Sequence, residues 1–285
     1  MGELYQQMER DLKLKNLAAG TQAAYLRCCR GFVQYHMKSP RELGEAEVKE
    51  YLEHLLMKGA GPETLKMCVA GLKFLYGVTL DRPKVAERLL WPKVPHKKAD
   101  ILAGSEVLKL LGLVKSLVSG MVLITGYGAG LRVGEACRLR VEDIDSKRML
   151  IHVRLGKGGK DRYVMLSPRL LMALRRYWAE VRPTGPWLFP GRKPGTHLSP
   201  AAVQMALRKA VKAAKLKKRV TPHSLRHAFA THLLETGNDI RLIQALLGHA
   251  SIRTTARYAQ VSRTLVARAK SPLDLLGTQA GAVLG

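Results

Sequence analysis

The segment "TPHSLRHAFATHLL", residues 221–234, gathers His223, Arg226, His227 and His232 without a carboxylate to pair with any of them. On a helix, His223, Arg226 and His227 stand at i, i+3 and i+4, where neighbouring Cβ atoms are about 5–6 Å apart. Such a cationic cluster suits an anion, a metal or plain water. Metal is the poorer match. A zinc helix with histidines at i and i+4 keeps a glutamate between them as base, whereas Ser224, Leu225 and Arg226 intervene here, and a guanidinium between two ligands repels a divalent ion. His227 and His232 are read as packing residues.

The chain around this cluster is strongly basic: 285 residues carry 48 Lys and Arg against 22 Asp and Glu, a formal charge of +26. An excess of that size attracts polyanions, and nucleic acid is the first candidate. Its distribution is uneven, with 15 basic and 11 acidic side chains in residues 1–95 and 33 and 11 in residues 96–285. No acid falls between Glu180 and Glu235, and "RKAVKAAKLKKR" (208–219) holds seven cations. A solvated helix face explains many such runs. A long acid-free interval around an Arg/His cluster asks for a phosphate backbone.

Other classes are disfavoured. The apolar stretch "MVLITGYGAGL" (121–131) is too short to cross a bilayer, and the charged N-terminus lacks the apolar run of a signal peptide. Cys28, Cys29, Cys68 and Cys137 show no C-x-x-C spacing, so neither a zinc site nor a disulfide is expected, in keeping with a reducing cytosol.

The elements that must position the cluster are mostly helical. Thr21 serves as N-cap for "QAAYLRCCRGFVQYHM", followed by "EAEVKEYLEHLLMKG" and "ETLKMCVAGLKFLYGV", each with apolar residues at three- and four-residue intervals. "WPKVPHKKADILAG" (91–104) has the prolines and lysines of a linker. Next, "SEVLKLLGLVKSLVSGMVLITGYGAG" reads as helix ending in a glycine turn that delivers Arg132. Residues 149–166 alternate as strands around "GKGGK" and predict a β-hairpin. Helical patterning returns over 168–182, 199–214, 222–236, 239–247 and 252–269. The expected fold is mainly α: a helical domain over 1–95, a basic linker over 96–104, and a mixed, mostly helical domain with a small antiparallel hairpin over 105–285.

Three motifs complete the pattern. "GYGAGLRVGEACRL" sets Arg132 one helical turn before Glu135, which can orient it; "HSLRH" carries His223 and Arg226; "LLGHASIRTTARYAQ" ends a helix at Gly248, exposes His249 and brings Tyr258 nine residues later on a helix capped by Ser251. In this order and spacing they resemble the tyrosine recombinase (phage integrase) family, in particular its short two-domain members similar to the Xer recombinases. The resemblance spans nearly the whole chain.

That resemblance implies a catalytic set of Arg132, Lys157, His223, Arg226, His249 and Tyr258. Arg132 and Arg226 would clamp the scissile phosphate with His249 as a further donor, Tyr258 would be the nucleophile, His223 its proton acceptor and Lys157 the acid for the leaving oxygen. It further implies a site-specific DNA recombinase forming a 3′-phosphotyrosyl intermediate, with two domains closing as a C-shaped clamp on double-stranded DNA. Four protomers would exchange strands through a Holliday junction. The enzyme would work in the cytoplasm at the nucleoid, without membrane, metal or other cofactor. Two departures stand out. Ala259-Gln260 follow the tyrosine where many relatives have Thr-His, and an arm-binding domain ahead of the helical one is not expected.

Overall fold

A computed structural model of the chain describes residues 2–92, 101–154 and 161–248. The chain divides into two compact units, residues 1–98 and 99–285.

The first unit is a helical bundle. Helix α1 (Gly2–Leu14) buries Met8 and Leu12, one turn apart, and is an element the sequence reading did not assign. Helix α2 (Ala19–His36) begins two residues ahead of the expected Thr21 cap. The Gln22 side chain reaches back to the Leu17 carbonyl at 2.6 Å and ties the chain entry to the first turn, so the threonine lies inside the helix. Helices α3 (Glu45–Met57) and α4 (Pro62–Phe74) follow, α4 opening with proline in its first turn, where the missing N–H costs nothing. A π-helical turn (Leu75–Thr79) and the short α5 (Pro83–Arg88) close the unit. Its core packs Leu12, Phe32, Val48, Leu72 and Tyr76, all essentially inaccessible to solvent.

Helices α2 and α4 approach closely because Gly71 faces the Tyr25 backbone; a Cβ there would lie 3.2 Å from Tyr25 Cα. At this crossing Cys28 and Cys68 form a disulfide with Cα atoms 5.3 Å apart. The expectation of no disulfide is thereby corrected. The pairing depends on two helices meeting, not on a short spacing in the sequence. Cys29 and Cys137 remain free and buried, and burial pushes each thiol up to about 12.

The second unit starts with α6 (Gly104–Gly112) and α7 (Leu117–Gly128). The sequence read these as one helix. The break falls at residues 113–116, where Ser116 caps α7 by accepting from the Ser119 N–H at 3.3 Å. Most of α7 is buried, and α8 (Val133–Cys137), α9 (Pro168–Val181), α10 (Pro200–Ala213) and α11 (Pro222–Glu235) pack around it. Helix α12 (Ile240–Leu247) rests on α11. The expected hairpin is part of a three-stranded antiparallel sheet, β1 (Ile144–Asp145), β2 (Leu150–Val153) and β3 (Arg162–Met165), in sequential order. Its register sets Leu150 opposite Met165 and Val153 opposite Arg162. The linker expected at 96–104 lies mostly outside the described residues, as does the helix expected at 252–269 with Ser251 as its cap.

Candidate active site

The α7–α8 connection is built to place a carbonyl and a guanidinium. After α7 the chain turns at Gly130, in the left-handed region at φ 66°, and any Cβ there would strike the Phe229 ring at 2.5 Å. The turn leaves Arg132 just ahead of α8. Glu135 folds back on it: the Arg132 backbone N–H donates to Glu135 Oε2 at 2.8 Å, and Arg132 Nη1 to Oε1 at 2.7 Å. This is a helix N-terminus held by its third residue.

Glu135 holds more than its neighbour in sequence. Arg162, on β3, sets a two-pronged fork on the same carboxylate, Nη1 to Oε1 at 3.0 Å and Nη2 to Oε2 at 2.7 Å. Arg226, on α11, brings Nη1 to 3.6 Å from Oε2. Three guanidiniums thus converge on one carboxylate that is itself 3% exposed.

Arg226 faces inward because α11 buries Leu225, Arg226, Phe229 and Leu233 on one side. Thr221 caps this helix from just before Pro222, accepting from the Ser224 N–H. The Arg226 side chain is 2% exposed. Its Nη1 donates to the Gly130 carbonyl at 2.6 Å and its Nη2 to the Leu247 carbonyl at the end of α12. Gly248 then ends α12 in the left-handed region at φ 58°, as the sequence predicted.

Charge balance in the cluster is lopsided. Burial alone would raise the Glu135 carboxyl, but the Arg162 fork and then Arg132 outweigh it and hold the group at about 2. The Arg226 pKa is lowered as well, to about 10, through burial first and then the nearby Arg132, with Glu135 only partly compensating, so that here the charged form is the one disfavoured. The charged form is favoured in Glu135 and disfavoured in Arg226 because three cations share one anion: the carboxylate is over-satisfied and the buried arginine under-satisfied.

His223 opens α11 on its exposed side, its ring edge-to-face with that of His227 at 4.4 Å. Desolvation against the helix, then His227, Arg226 and Arg132, keep its pKa below the ordinary histidine value. A neutral imidazole at neutral pH can accept a proton. His227 is exposed, correcting its assignment to packing: one residue beyond Arg226, the helical turn carries it out of the buried side. His232 does pack, its Nδ1 2.9 Å from the buried Tyr127 hydroxyl.

Structure and sequence therefore agree in bringing Arg132 and Arg226 together, with His223 on the same helix as Arg226. Lys157, His249 and Tyr258 lie outside the described residues. The sequence reading missed Arg162. Its available signal was a charged residue alternating with Val164 and Leu166 on the inward side of a strand. Below the hairpin, Arg154 Nε donates to the buried Asp143 at 2.6 Å, and His152 Nε2 meets Asp161 at 3.1 Å. Among the described residues no group of three or more His, Cys, Asp or Glu side chains could hold a metal ion, and no helix is long and apolar enough to cross a membrane.

Comparison with known proteins gives one answer in both units. The phage integrase family matches residues 101–264, and the N-terminal SAM-like domain of phage integrases matches residues 4–84. The chain is 38% identical over 235 residues to the tyrosine recombinase XerA of Pyrococcus horikoshii, covering 80% of this chain and 81% of that one. It is 33% identical over 280 residues to the tyrosine recombinase XerA of Thermococcus onnurineus, covering 97% of each. In fold it is similar to a lambda integrase fragment solved as a dimer bound to a core site, with a TM-score of 0.72, 18% identity, and coverage of 88% of this chain and 95% of that one.

Proposed function

The chain belongs to the phage integrase family of tyrosine recombinases, enzymes that cleave and rejoin DNA at specific sites, and from that premise we propose that Arg132 and Arg226 clamp the scissile phosphate for attack by Tyr258. The observation that carries this reading is the surplus of guanidinium over carboxylate around Glu135. A phosphodiester under in-line attack gathers charge on its non-bridging oxygens, and planar guanidinium forks match that geometry. An anion there would also relieve the under-satisfied Arg226.

The remaining roles follow from proton and bond accounting. The Tyr258 oxygen forms a bond to phosphorus as the bond to the 5′-oxygen breaks. The tyrosine proton passes to His223, whose lowered pKa suits it as acceptor. Lys157 gives a proton to the departing 5′-oxygen, and His249 donates a hydrogen bond to the phosphate. The phosphotyrosine keeps the bond energy for religation. Double-stranded DNA is the partner, four protomers form the synaptic complex, and the protein acts in the cytoplasm at the nucleoid.

The test is covalent capture. The full chain is incubated with a library of nicked random duplexes and genomic fragments, quenched with detergent, and the DNA in covalent adducts is sequenced. Adducts are expected with the wild type and none with Tyr258→Phe, while the latter still binds the captured duplex. An adduct persisting in Tyr258→Phe would contradict the assignment. Tyr177 is a poor substitute, being buried with its hydroxyl donating to the Leu188 carbonyl at 3.0 Å. Failure of the wild type to form any adduct would sink the catalytic reading and leave a DNA-binding protein.

A further inference from the structure

We propose that Arg162 is a positioning residue that locks the hairpin, α8 and α12 into one frame around Glu135, so that the separate pieces of the catalytic set meet in register. This rests on the functional reading above and adds to it a residue outside the assigned set.

Arg162 is turned wholly inward. Its Nη1 and Nη2 are spent on the Glu135 carboxylate, and its Nε donates to the Leu246 carbonyl at 3.0 Å. Each nitrogen of the guanidinium already has a partner, and the side chain is 12% exposed. Its fork is held by a carboxylate, whereas Arg226 donates to neutral carbonyls that a phosphate can replace and the Arg132 side chain is 28% exposed.

The connections of Arg162 explain why a fork is needed there. It stands at the start of β3, five residues after Lys157, opposite Val153 at the loop end of the hairpin. Through Glu135 it reaches Arg132 on α8. Through Leu246, three residues before His249, it holds the last turn of α12, beside Leu247, whose carbonyl is held by Arg226. The end carbonyls of a helix lack intrahelical donors and carry partial negative charge, so two guanidiniums are apt caps. Gly248 supports the same reading: a Cβ on it would lie 3.1 Å from Arg162 Cδ, so the residue that ends α12 also makes room for this side chain. Lysine keeps the charge but has no fork and would hold one of these connections at a time.

The test uses the full chain and the duplex captured by the wild type. Arg162→Lys is expected to lower single-turnover cleavage by roughly 10²-fold, the effect of a displacement of about 1 Å on a positioned reaction. Duplex affinity should stay within about twofold and its salt dependence should be unchanged, because no phosphate contact is lost. In a Glu135→Gln background the same substitution should have a much smaller further effect, since the carboxylate link is already lost and only the Leu246 carbonyl link remains to be broken. Three results would overturn the proposal: undiminished cleavage by Arg162→Lys, a salt slope reduced by about one contact, or fully multiplicative effects of the two substitutions. Should Arg162→Lys fail to fold, the wild type decides by NMR. The Arg162 Nε–H should exchange slowly and keep its shift when the captured duplex is added. Fast exchange or a duplex-induced shift would mark it as a DNA contact and end the proposal. Wild-type adducts accompanying any of these adverse results leave the functional reading standing, whereas absence of wild-type adducts removes that reading first.

Discussion

The two units of this chain bury different things. The N-terminal unit buries aromatic and aliphatic side chains around Phe32 and Tyr76 and crosslinks two of its helices through Cys28 and Cys68. The catalytic unit has a larger apolar core, but into it go Glu135, Asp143 and Arg226. Ion pairs buried this way stabilise little in net terms, because desolvation offsets the attraction. Their presence among the described residues of one unit and not of the other indicates that the catalytic unit accepts a folding cost to keep cations side by side, while the N-terminal unit is arranged for stability.

This contrast can be broken by single substitutions. The largest effect is expected from Glu135→Ala, which leaves three guanidiniums without their shared anion. Calorimetry should show the catalytic unit destabilised by about 3–5 kcal/mol, the N-terminal transition unmoved, and cleavage lost. Of similar size but opposite location, reduction of the Cys28–Cys68 bond, which closes a loop of 40 residues, should lower the stability of the N-terminal unit by about 4 kcal/mol. A count of two titratable thiols in the denatured, unreduced chain would accompany it; four would refute the crosslink. Acid should act on the catalytic unit first. Glu135 titrates at about 2 when folded against an ordinary 4.5, so its contribution is complete above pH 4.5 and is lost as pH falls from there toward 2. That interval corresponds to about 3 kcal/mol. Smallest of all is Tyr76→Phe in the N-terminal unit. The Tyr76 hydroxyl is buried without a hydrogen-bond partner, so its removal should change stability by less than about 1 kcal/mol or raise it slightly, measured by urea unfolding.

What the sequence disclosed and withheld follows the range of the interactions. Arg132 with Glu135 and the glycine turn that precedes them lie within a few residues, so spacing alone placed them. The general direction of the charge was equally legible, but Lys218, counted in the basic run, proves to be engaged with Glu106 at 2.7 Å and the Ile101 carbonyl. Arg162 reaches Glu135 across 27 residues and Cys28 reaches Cys68 across 40. No local pattern reports such contacts, since they depend on how β3 and α4 dock. Even Arg226 was placed on one helix side with His223 and His227, and only the packing of Phe229 and Leu233 turned it inward while leaving the histidines exposed.

The claim that the guanidinium cluster exists to neutralise phosphate charge is tested most directly by removing that charge from the substrate. On the captured duplex, Arg226→Ala should cut single-turnover cleavage by about 10²–10³-fold, the usual loss for one preorganised donor. With a methylphosphonate in place of the scissile phosphate, the non-bridging charge is gone. Wild type and Arg226→Ala should then cleave at rates within about tenfold of each other, the remaining difference reflecting one hydrogen bond. An undiminished gap between the two proteins on the uncharged substrate would contradict the account, because Arg226 would then be acting on the fold or on another group and not on the charge of the phosphate.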